Sequence, residues 1–415
     1  MKLLVIIPDR LSDLVKKGEI TARYYNPGNL FDEVHILICN DDRVDSRDVQ
    51  KTAGTARLFL HNLPEHTWQF IQSYPLFNPW FLNPLFEPIL ELTKQFQFHL
   101  LNEWAKPAIE LARQIQPALI RCHANDYNAY VAARIKKELG IPYVVSLHSN
   151  PDTETRRRVV DAHASREDKL FGVVFDKIEA IGVKNSDLAL PVYQSINPYL
   201  QRVGCARYQV AYNVLNSDHL GQKKSYALHH PVRLISVGRQ FRSKNPENII
   251  RAIEDLPEAR LTLVGDGQYH ESLQSLAREL GLADRVTFIR AIPNDDLCAQ
   301  LPEFDIFLAH NDFFGISKAM IEALLTGLPS ITNCRPGEQA PELQGDFVML
   351  VENSKEGYSH AIQKLIDDKN LREQLGCKAY AHAQEHWSPA KTEAKYVEIY
   401  KRVMKQAGTW IEQRL

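Results

Sequence analysis

Two cations in one short loop are the residues of this sequence best suited to bind a phosphate. The loop follows the apolar run 234–237 and contains Arg239 and Lys244. An arginine holds phosphate oxygens through two parallel hydrogen bonds, and a lysine adds a point charge. A helix predicted to start near Pro246, with Asn245 as its N-cap, would add free N–H groups. The pattern indicates a diphosphate site, with two solvated surface charges as the alternative.

A second turn rich in glycine follows the apolar run 261–264. Gly265 and Gly267 are separated by one residue, and a helical pattern begins a few residues later. Such a turn allows a ligand to approach the backbone closely, but without a third glycine it is equally typical of an ordinary strand-to-helix connection. Both interpretations remain open at this point.

A carboxylate inside an apolar helix is the third feature that could do chemistry. The sequence predicts a helix from about Ile316, and Glu322 falls near its middle among apolar neighbours. A carboxylate in that position must be paired or must face a polar ligand. A ribose diol suits it, since a carboxylate accepts two hydroxyl hydrogen bonds. A glutamate partly exposed towards a neighbouring domain is the alternative.

Short apolar runs alternate with helical patterns along the chain, and this alternation would position the loops described above. Segments rich in β-branched residues between helical patterns indicate an α/β protein with parallel sheets. The predicted strands are 3–7, 34–39, 118–122, 143–147, 188–192, 234–237, 261–264, 285–289, 306–309, 330–332 and 347–351.

A loose internal repeat predicts two similar domains. Residues 121–142 and 308–329 each run from a strand end through a helix that stops at Gly140 or Gly327, with the next strand starting after a proline. Two Rossmann-like halves explain the repeat, and independent use of the same connector is the alternative. We expect a first domain over 1–205, a second over 206–388, and a last helix over 389–415 that returns to the first domain.

Residues 60–104 combine many aromatic side chains with five prolines, and we predict an insertion packed on the first domain. Prolines at these intervals argue against one long helix. An acceptor-binding flap or a membrane-surface flap is the alternative, since Trp and Phe favour interfaces.

Composition excludes several classes of protein. The formal net charge is −2, which gives no general basic field for nucleic acid. The six cysteines are scattered without CxxC spacing, which argues against a zinc site and favours a reducing, cytoplasmic environment. The runs 40–42 and 294–296 are Asn-Asp-Asp turns rather than metal ligands. The apolar run at the N-terminus is too short for a signal segment, and no window of about 18 apolar residues predicts a membrane-spanning helix.

The second half of the chain resembles the retaining, nucleotide-sugar-dependent glycosyltransferases of the GT-B fold that carry a Glu-x7-Glu signature. The first half matches them more loosely, through Val144 to His148. The matching blocks of the second half are Val-Gly-Arg…Lys at 237–244, Val-Gly-Asp-Gly at 264–267, Val-Thr-Phe-Ile-Arg at 286–290 and Gly-Ile-Ser-Lys-Ala-Met-Ile-Glu-Ala-Leu-Leu-Thr-Gly-Leu-Pro at 315–329.

The resemblance implies a fold and an activity. The fold would be GT-B, with two Rossmann-like domains facing across a cleft. The activity would be that of a hexosyltransferase-type enzyme that moves a sugar, with retention, from a UDP- or GDP-linked donor. A saccharide, a lipid-linked molecule or another hydroxyl compound would be the acceptor, in polysaccharide or glycoconjugate biosynthesis. No metal and no further cofactor would be needed, nucleic acid would not be a partner, and peripheral contact with the cytoplasmic membrane face is compatible with the pattern.

The resemblance also implies roles for individual residues. Arg239 and Lys244 would hold the donor diphosphate and stabilise the leaving nucleotide, Glu322 would bind the ribose, and His148 would line the sugar and acceptor site. The backbone around Arg290 would receive the base. The remaining donor contacts would come from Gly238, Gly265, Ile292, Gly315, Ile316 and Ser317.

One position departs from the family pattern. Phe314 stands eight residues before Glu322, where the family usually has the first glutamate of its signature. A phenylalanine offers apolar contact but no acceptor for a sugar hydroxyl. Asp312 could reach the same space only with a rearranged loop. The chain therefore either recognises its donor sugar differently or is a catalytically silent, nucleotide-sugar-binding partner of an active enzyme. A phosphorylase or epimerase on the same scaffold is a further alternative.

Overall fold

The computed structural model describes residues 1–63, 87–153, 175, 177–215, 219–241, 244–312, 315–334 and 340–409. The chain divides into two compact units, each with its own sheet. Unit 1 comprises Met1–Asp13, Ala22–Tyr212 and Ala394–Leu415, and unit 2 comprises Leu14–Thr21 and Asn213–Glu393. Within the described part of the chain, no helix combines the length and the apolar character needed to cross a membrane.

Twelve strands form two six-stranded sheets in which every described pair of neighbours is parallel, as the sequence predicts for an α/β fold. The order in unit 1 is β3-β2-β1-β4-β5-β6, and the order in unit 2 is β12-β11-β10-β7-β8-β9. The bounds are β1 Lys2–Ile7, β2 Glu33–Ile38, β3 Arg57–Asn62, β4 Leu119–His123, β5 Tyr143–Leu147, β6 Leu188–Pro191, β7 Val232–Val237, β8 Ala259–Val264, β9 Val286–Ile289, β10 Ile306–Ala309, β11 Ser330–Asn333 and β12 Met349–Val351.

Helices connect and cover these strands. Short 3₁₀ turns supplement them, for example at Pro27–Asn29 and Ile253–Asp255. The helices are α1 Leu11–Lys16, α2 Ser46–Val49, α3 Glu87–Ile115, α4 Tyr127–Leu139, α5 Asn197–Arg202, α6 Glu247–Ala252, α7 His270–Glu279, α8 Asn294–Gln300, α9 Lys318–Thr326, α10 Lys355–Asp367, α11 Lys369–Trp387 and α12 Pro389–Gln406.

The repeated connector predicted from the sequence is present in both units. Helix α4 ends at Gly140 and helix α9 ends at Gly327, each with a positive φ that a residue bearing a Cβ adopts only with strain. A proline follows two residues later in each case, and strands β5 and β11 begin directly after it. The two units therefore share this strand–helix–strand arrangement.

One strand is missing from the predicted set. Strand β3 lies at the sheet edge and its residues are only half-buried or exposed, so the sequence lacks a buried apolar run there. The stretch 60–104 is not one long helix, since residues 60–62 belong to β3, but its last part is helical, because α3 begins at Glu87 and includes Trp104. Pro88 stands in the first turn, where the missing N–H costs no hydrogen bond. Residues 64–86 lie outside the described residues.

The unit boundaries also differ from the expected ones. Residues 206–212 stay in unit 1 because this segment runs beside β6: Ala189 N donates to Arg207 O at 3.0 Å, and Gln209 N donates to Ala189 O at 3.0 Å. Leu14–Thr21 belongs to unit 2 although it lies within the predicted first domain, because Asn294 N donates to Gly18 O at 2.9 Å.

The end of the chain contributes to unit 1. Helix α12 is placed there from Ala394 onwards. The Tyr396 hydroxyl donates to Ala211 O at 3.1 Å, and the Thr409 hydroxyl donates to Ala118 O at 2.8 Å. Tyr396 and Tyr400 are both fully buried, so the apolar face of the helix is part of the core of this unit.

Asp305, just before β10, fixes the start of β7 in unit 2. Its carboxylate is almost fully buried and accepts hydrogen bonds from the backbone of Arg233 at 2.8 Å and from the ring and backbone of His229. The Asp305 backbone N–H donates in turn to Arg233 O at 2.8 Å. This carboxylate therefore joins two neighbouring strands at the edge opposite to their carboxyl ends.

We predict that Asp305→Ala lowers the free energy of unfolding by about 2–3 kcal/mol, because it leaves the Arg233 and His229 N–H groups without their acceptor. Urea unfolding followed by circular dichroism measures the change. The exposed Asp284→Ala is the control, and we expect less than about 0.5 kcal/mol for it. An Asp305→Ala midpoint equal to that of the control would contradict the prediction.

Candidate functional site

The carboxyl ends of β7, β8 and β10 lie side by side in the sheet of unit 2. Ligands of open α/β sheets bind outside the carboxyl ends of parallel strands. A recess at this edge is lined by the loops that follow β7 and β10, by the last residues of β8 and by the N-cap residue of α9. Its polar lining includes Gly238, Gln240, Lys244, His310 and Ser317.

The turns after β7 and β8 touch each other through their backbones, and the first of them lines the recess. A Cβ at Gly265 would lie 2.0 Å from Gly238 O, and the φ of Gly265 is +141°. The Gln240 N–H donates to Asp266 O at 2.8 Å, and the buried Gln240 side chain contacts His270 Nδ1 at 2.8 Å. Gly265 is therefore required for close packing of the two turns. A direct ligand contact is not needed to explain this glycine.

The two predicted phosphate cations differ in their surroundings. Lys244 is half-buried and lines the recess beside Gly238. Arg239 is exposed, and its guanidinium carbon lies 5.0 Å from the centre of the Phe241 ring. Helix α6 has only six residues and begins at Glu247, whose N–H donates to Asn245 Oδ1 at 3.2 Å. The N-cap position is Pro246 rather than the predicted Asn245, which lies one residue earlier and still accepts from the first helical N–H.

The loop before α9 is held at both of its described ends. The Asn311 N–H donates to Asn333 Oδ1 at 2.8 Å, and the Asn311 side chain donates to Gly315 O at 3.1 Å. Ser317 is the N-cap of α9 and accepts from Met320 N at 3.2 Å. Gly315 and Ile316 are buried between them.

Phe314 and Asp312 are the two residues at or near the position of the first signature glutamate. Phe314 lies outside the described residues. Asp312 is exposed, and its Oδ1 lies 3.1 Å from His310 Nε2. Its carboxylate is thus paired with a histidine that the sequence analysis did not single out.

Glu322 is buried and paired within the protein. Its side chain is only 3% exposed, and its Oε1 accepts from Asn294 Nδ2 at 2.9 Å and lies 3.7 Å from Lys318 Nζ. The sequence predicts that this carboxylate is paired or faces a polar ligand, and the structure confirms that it is paired. From the sequence, Asn294 is predicted only as a turn former, and nothing in the pattern around Asn294 points to Glu322.

The segment predicted to receive a nucleotide base carries contacts that the sequence did not reveal. The Arg290 guanidinium donates to Asp266 Oδ1 at 2.6 Å and also pairs with Glu271. The Gly267 N–H and Arg290 together hold the pKa of Asp266 below its usual value. At Ile292, the carbonyl oxygen lies 2.7 Å from the position that a Cβ on Gly18 would take. Leu14–Thr21 therefore packs directly against residues 292–294.

His148 follows strand β5 in unit 1. Its Nε2 lies 3.1 Å from Ser146 Oγ, and its ring stacks on His123, with centroids 5.2 Å apart and an angle of 12°. Burial, assisted by the charge of Arg121, lowers the pKa of His148 to about 3. Burial and the same charge also hold the pKa of His123 well below its usual value. Two neutral imidazoles thus lie side by side at the carboxyl ends of β4 and β5.

A metal ion would need several ligating side chains close together. Across these ranges, no group of three or more His, Cys, Asp or Glu side chains is arranged to hold a metal ion. The carboxylates of 41–42 and 295–296 form no such group.

Part of the chain is similar to known proteins. Residues 222–382 match the family model described as glycosyl transferases group 1. The chain is 29% identical over 143 residues to the lipopolysaccharide core biosynthesis glycosyltransferase LpsE of Rhizobium meliloti, covering 34% of this chain and 42% of that protein. It is 26% identical over 189 residues to a GDP-mannose-dependent alpha-(1-6)-phosphatidylinositol monomannoside mannosyltransferase of Mycolicibacterium smegmatis, covering 43% and 50%. The matches thus span half of the length of these relatives or less.

Solved structures resemble almost the whole chain. Sucrose-phosphate synthase of Thermosynechococcus elongatus superposes with a TM-score of 0.70 at 16% identity, covering 98% of this chain and 100% of that one. HepE of Anabaena, in complex with UDP and glucose, superposes with a TM-score of 0.68 at 15% identity, covering 96% and 99%. At these identities the likeness establishes the fold alone.

The two parallel sheets and these neighbours define a two-domain α/β protein with the GT-B fold. Residues 222–382, which lie in the second unit, are similar to the glycosyl transferases group 1.

We predict that the His148 imidazole stays neutral from pH 8 down to pH 5. The unfolded chain binds this proton with a pKa near 6.5, so His148 destabilises the folded state as the pH falls below about 6.5, down to its folded pKa. At pH 5 this contribution is about 2 kcal/mol at most. The ¹⁵N chemical shifts of the imidazole nitrogens, measured by NMR, report the protonation of His148. The His148→Gln variant identifies its signals, because they are missing from the spectrum of that variant. In urea unfolding, the variant should lose less stability between pH 7.5 and 5 than the native chain. A titration midpoint near 6.5 would contradict this.

Proposed function

We propose that the chain is a retaining glycosyltransferase that moves a sugar from a UDP- or GDP-linked donor to a hydroxyl group. The acceptor would be a saccharide or a lipid-linked molecule in polysaccharide or glycoconjugate biosynthesis. The curated relatives named above support this pathway class, because one acts in lipopolysaccharide core biosynthesis and another is described as a GDP-mannose-dependent mannosyltransferase. The complex of HepE with UDP and glucose supports a nucleotide-sugar donor.

The observation that carries the proposal is the recess of unit 2. Gly238 and Lys244 both line it, so backbone and a cation lie side by side there. Arg239 lies on the same loop, and its side chain is exposed. A backbone turn with cations beside it is suited to a diphosphate.

The proposed chemistry follows from where charge develops. As the bond between the sugar and the diphosphate breaks, the sugar becomes oxocarbenium-like and negative charge grows on the leaving phosphate oxygen. Lys244 and Arg239 would stabilise that charge, and this is the reason for proposing a reaction without a metal ion. In attack from the same face as the departing group, that phosphate oxygen can accept the acceptor proton, and no protein nucleophile is required.

His148 would act on the sugar or the acceptor through hydrogen bonds. A neutral imidazole offers one N–H donor and one ring-nitrogen acceptor, which suits a hydroxyl group. The lowered pKa keeps the ring in that form at neutral pH. We propose a cytoplasmic location from the scattered cysteines, and peripheral contact with the cytoplasmic membrane face. Trp104, at the end of the aromatic stretch, is part of the core of unit 1 and so takes no part in that contact.

A catalytically silent binding partner of an active enzyme is the second candidate. Phe314, in place of the first signature glutamate, is the feature that favours it. Both candidates bind a nucleoside diphosphate, so both should melt at a higher temperature in its presence. A turnover assay is therefore needed as well to separate them. Binding without transfer to any acceptor extract, and without slow hydrolysis of the donor, would support the silent partner.

We predict that Lys244→Ala and Arg239→Ala each lower the rate of sugar transfer by about 10²–10³-fold, because each removes one charge from the leaving group. Transfer of radiolabelled sugar from UDP- and GDP-sugars measures the rate. Lys364→Ala, an exposed lysine on α10, is the matched control and should retain the native rate. Unchanged rates in both site variants, with native melting temperatures, would defeat the assignment.

We further predict that EDTA leaves the transfer rate within about twofold of its untreated value, because the cations of the loop replace a metal as the electrostatic stabiliser. The anomeric configuration of the product, read from its proton coupling constant, should equal that of the donor. Loss of activity that Mg²⁺ or Mn²⁺ restores would contradict the first expectation, and an inverted product would contradict the second.

A further inference from the structure

A small polar cluster surrounds Glu322 in unit 2. It consists of Asn294 at the start of α8, and Lys318 and Glu322 on α9; we call it the Glu322 cluster. Asn294 is 8% exposed, and its Nδ2 donates to Glu322 Oε1 at 2.9 Å. The same amide nitrogen lies 3.7 Å from the sulfur of Cys298, one turn further along α8.

Lys318 completes the cluster and determines which way the amide faces. Its Nζ lies 2.7 Å from Thr21 Oγ1, 3.3 Å from Asn294 Oδ1 and 3.7 Å from Glu322 Oε1. An ammonium group only donates, so the Asn294 atom facing it must be the carbonyl oxygen. The NH₂ group of Asn294 therefore has to face Glu322, and the amide orientation follows from chemistry alone.

The cluster has a physical consequence for the Glu322 carboxylate. A nearly inaccessible carboxylate is costly unless a positive charge and hydrogen bonds compensate it. Lys318 supplies the charge one helical turn away, and Asn294 supplies a hydrogen bond from a different element. The carboxylate plane is thereby held from two directions. A group that must present its oxygens to two adjacent ribose hydroxyls needs such a fixed orientation.

We propose that Asn294 and Lys318 are positioning residues, which hold the Glu322 carboxylate in the orientation that recognises the ribose diol of a nucleoside diphosphate. The proposal rests on the proposed function, since it takes a ribonucleotide as the ligand. It assigns a role in ligand recognition to two residues through their contacts with Glu322. Neither needs to touch the ligand.

The test compares ribonucleotides with nucleotides that lack the diol. Dissociation constants are measured by calorimetry for UDP and GDP and for their 2′,3′-dideoxy forms, on the full chain. The native chain should bind the better ribonucleotide at least tenfold more tightly than its dideoxy form. Asn294→Ala and Lys318→Met should each reduce this ratio at least fivefold, with dideoxy binding nearly unchanged. Lys318→Arg, which keeps the charge, should restore most of the ratio.

Two further variants separate positioning from general damage. Asp295→Asn changes the neighbouring residue on α8, whose carboxylate pairs with His219 at 3.3 Å, and should keep the native ratio. In a Glu322→Gln background, adding Asn294→Ala should lower the ratio by less than twofold, because the effect of Asn294 acts through the carboxylate. A merely structural role would lower the melting temperature of the single variants without changing the ratio.

The outcomes are distinguishable. If the native chain prefers the ribonucleotide and the two variants keep that preference, the positioning role is wrong and the proposed function stands. If the native chain binds UDP or GDP but does not distinguish the dideoxy form, Glu322 does not read the diol, and the inference again fails alone. If the native chain binds neither nucleotide, the proposed function and the inference fall together.

Discussion

The backbone contact between Gly265 and Gly238 is the constraint on which the recess of unit 2 depends. The Gly265 position tolerates no Cβ, since that atom would lie 2.0 Å from the Gly238 carbonyl oxygen. The contact joins the turns after β7 and β8. It therefore fixes the position of Gly238, which lines the recess and begins the loop that carries Arg239 and Lys244.

Parallel pairing brings the other parts to the same edge. Because β7, β8 and β10 are parallel neighbours, the loops after all three strands emerge together, although about 70 residues of chain separate the first from the last. Helix α9 begins directly after its N-cap Ser317, which lines the recess, and carries Lys318 and Glu322 one turn apart. The same arrangement in unit 1 places His123 and His148 at adjacent strand ends.

The polar side chains of the two units are stabilised in different ways. Asp305 is satisfied by backbone N–H groups and a histidine, and Glu322 by an amide and an ammonium group. His123 and His148 are instead held in their neutral form by burial and by the nearby charge of Arg121. The first two are carboxylates that accept from several donors, and the last two are neutral imidazoles that can both donate and accept hydrogen bonds.

The sequence by itself determined most of the strands, the connectors that end at Gly140 and Gly327, and the pairing requirement of Glu322. These follow from local rules: buried strands are continuous apolar runs, a left-handed helix end favours glycine, and a carboxylate in an apolar helix needs a partner. The tertiary structure alone decided that the partner is Asn294, that Leu14–Thr21 packs against residues 292–294, and that β3 completes the edge of its sheet. Such contacts join residues 28 to more than 270 positions apart, and no local pattern encodes which distant segments meet, since that choice is made by the packing of the whole unit.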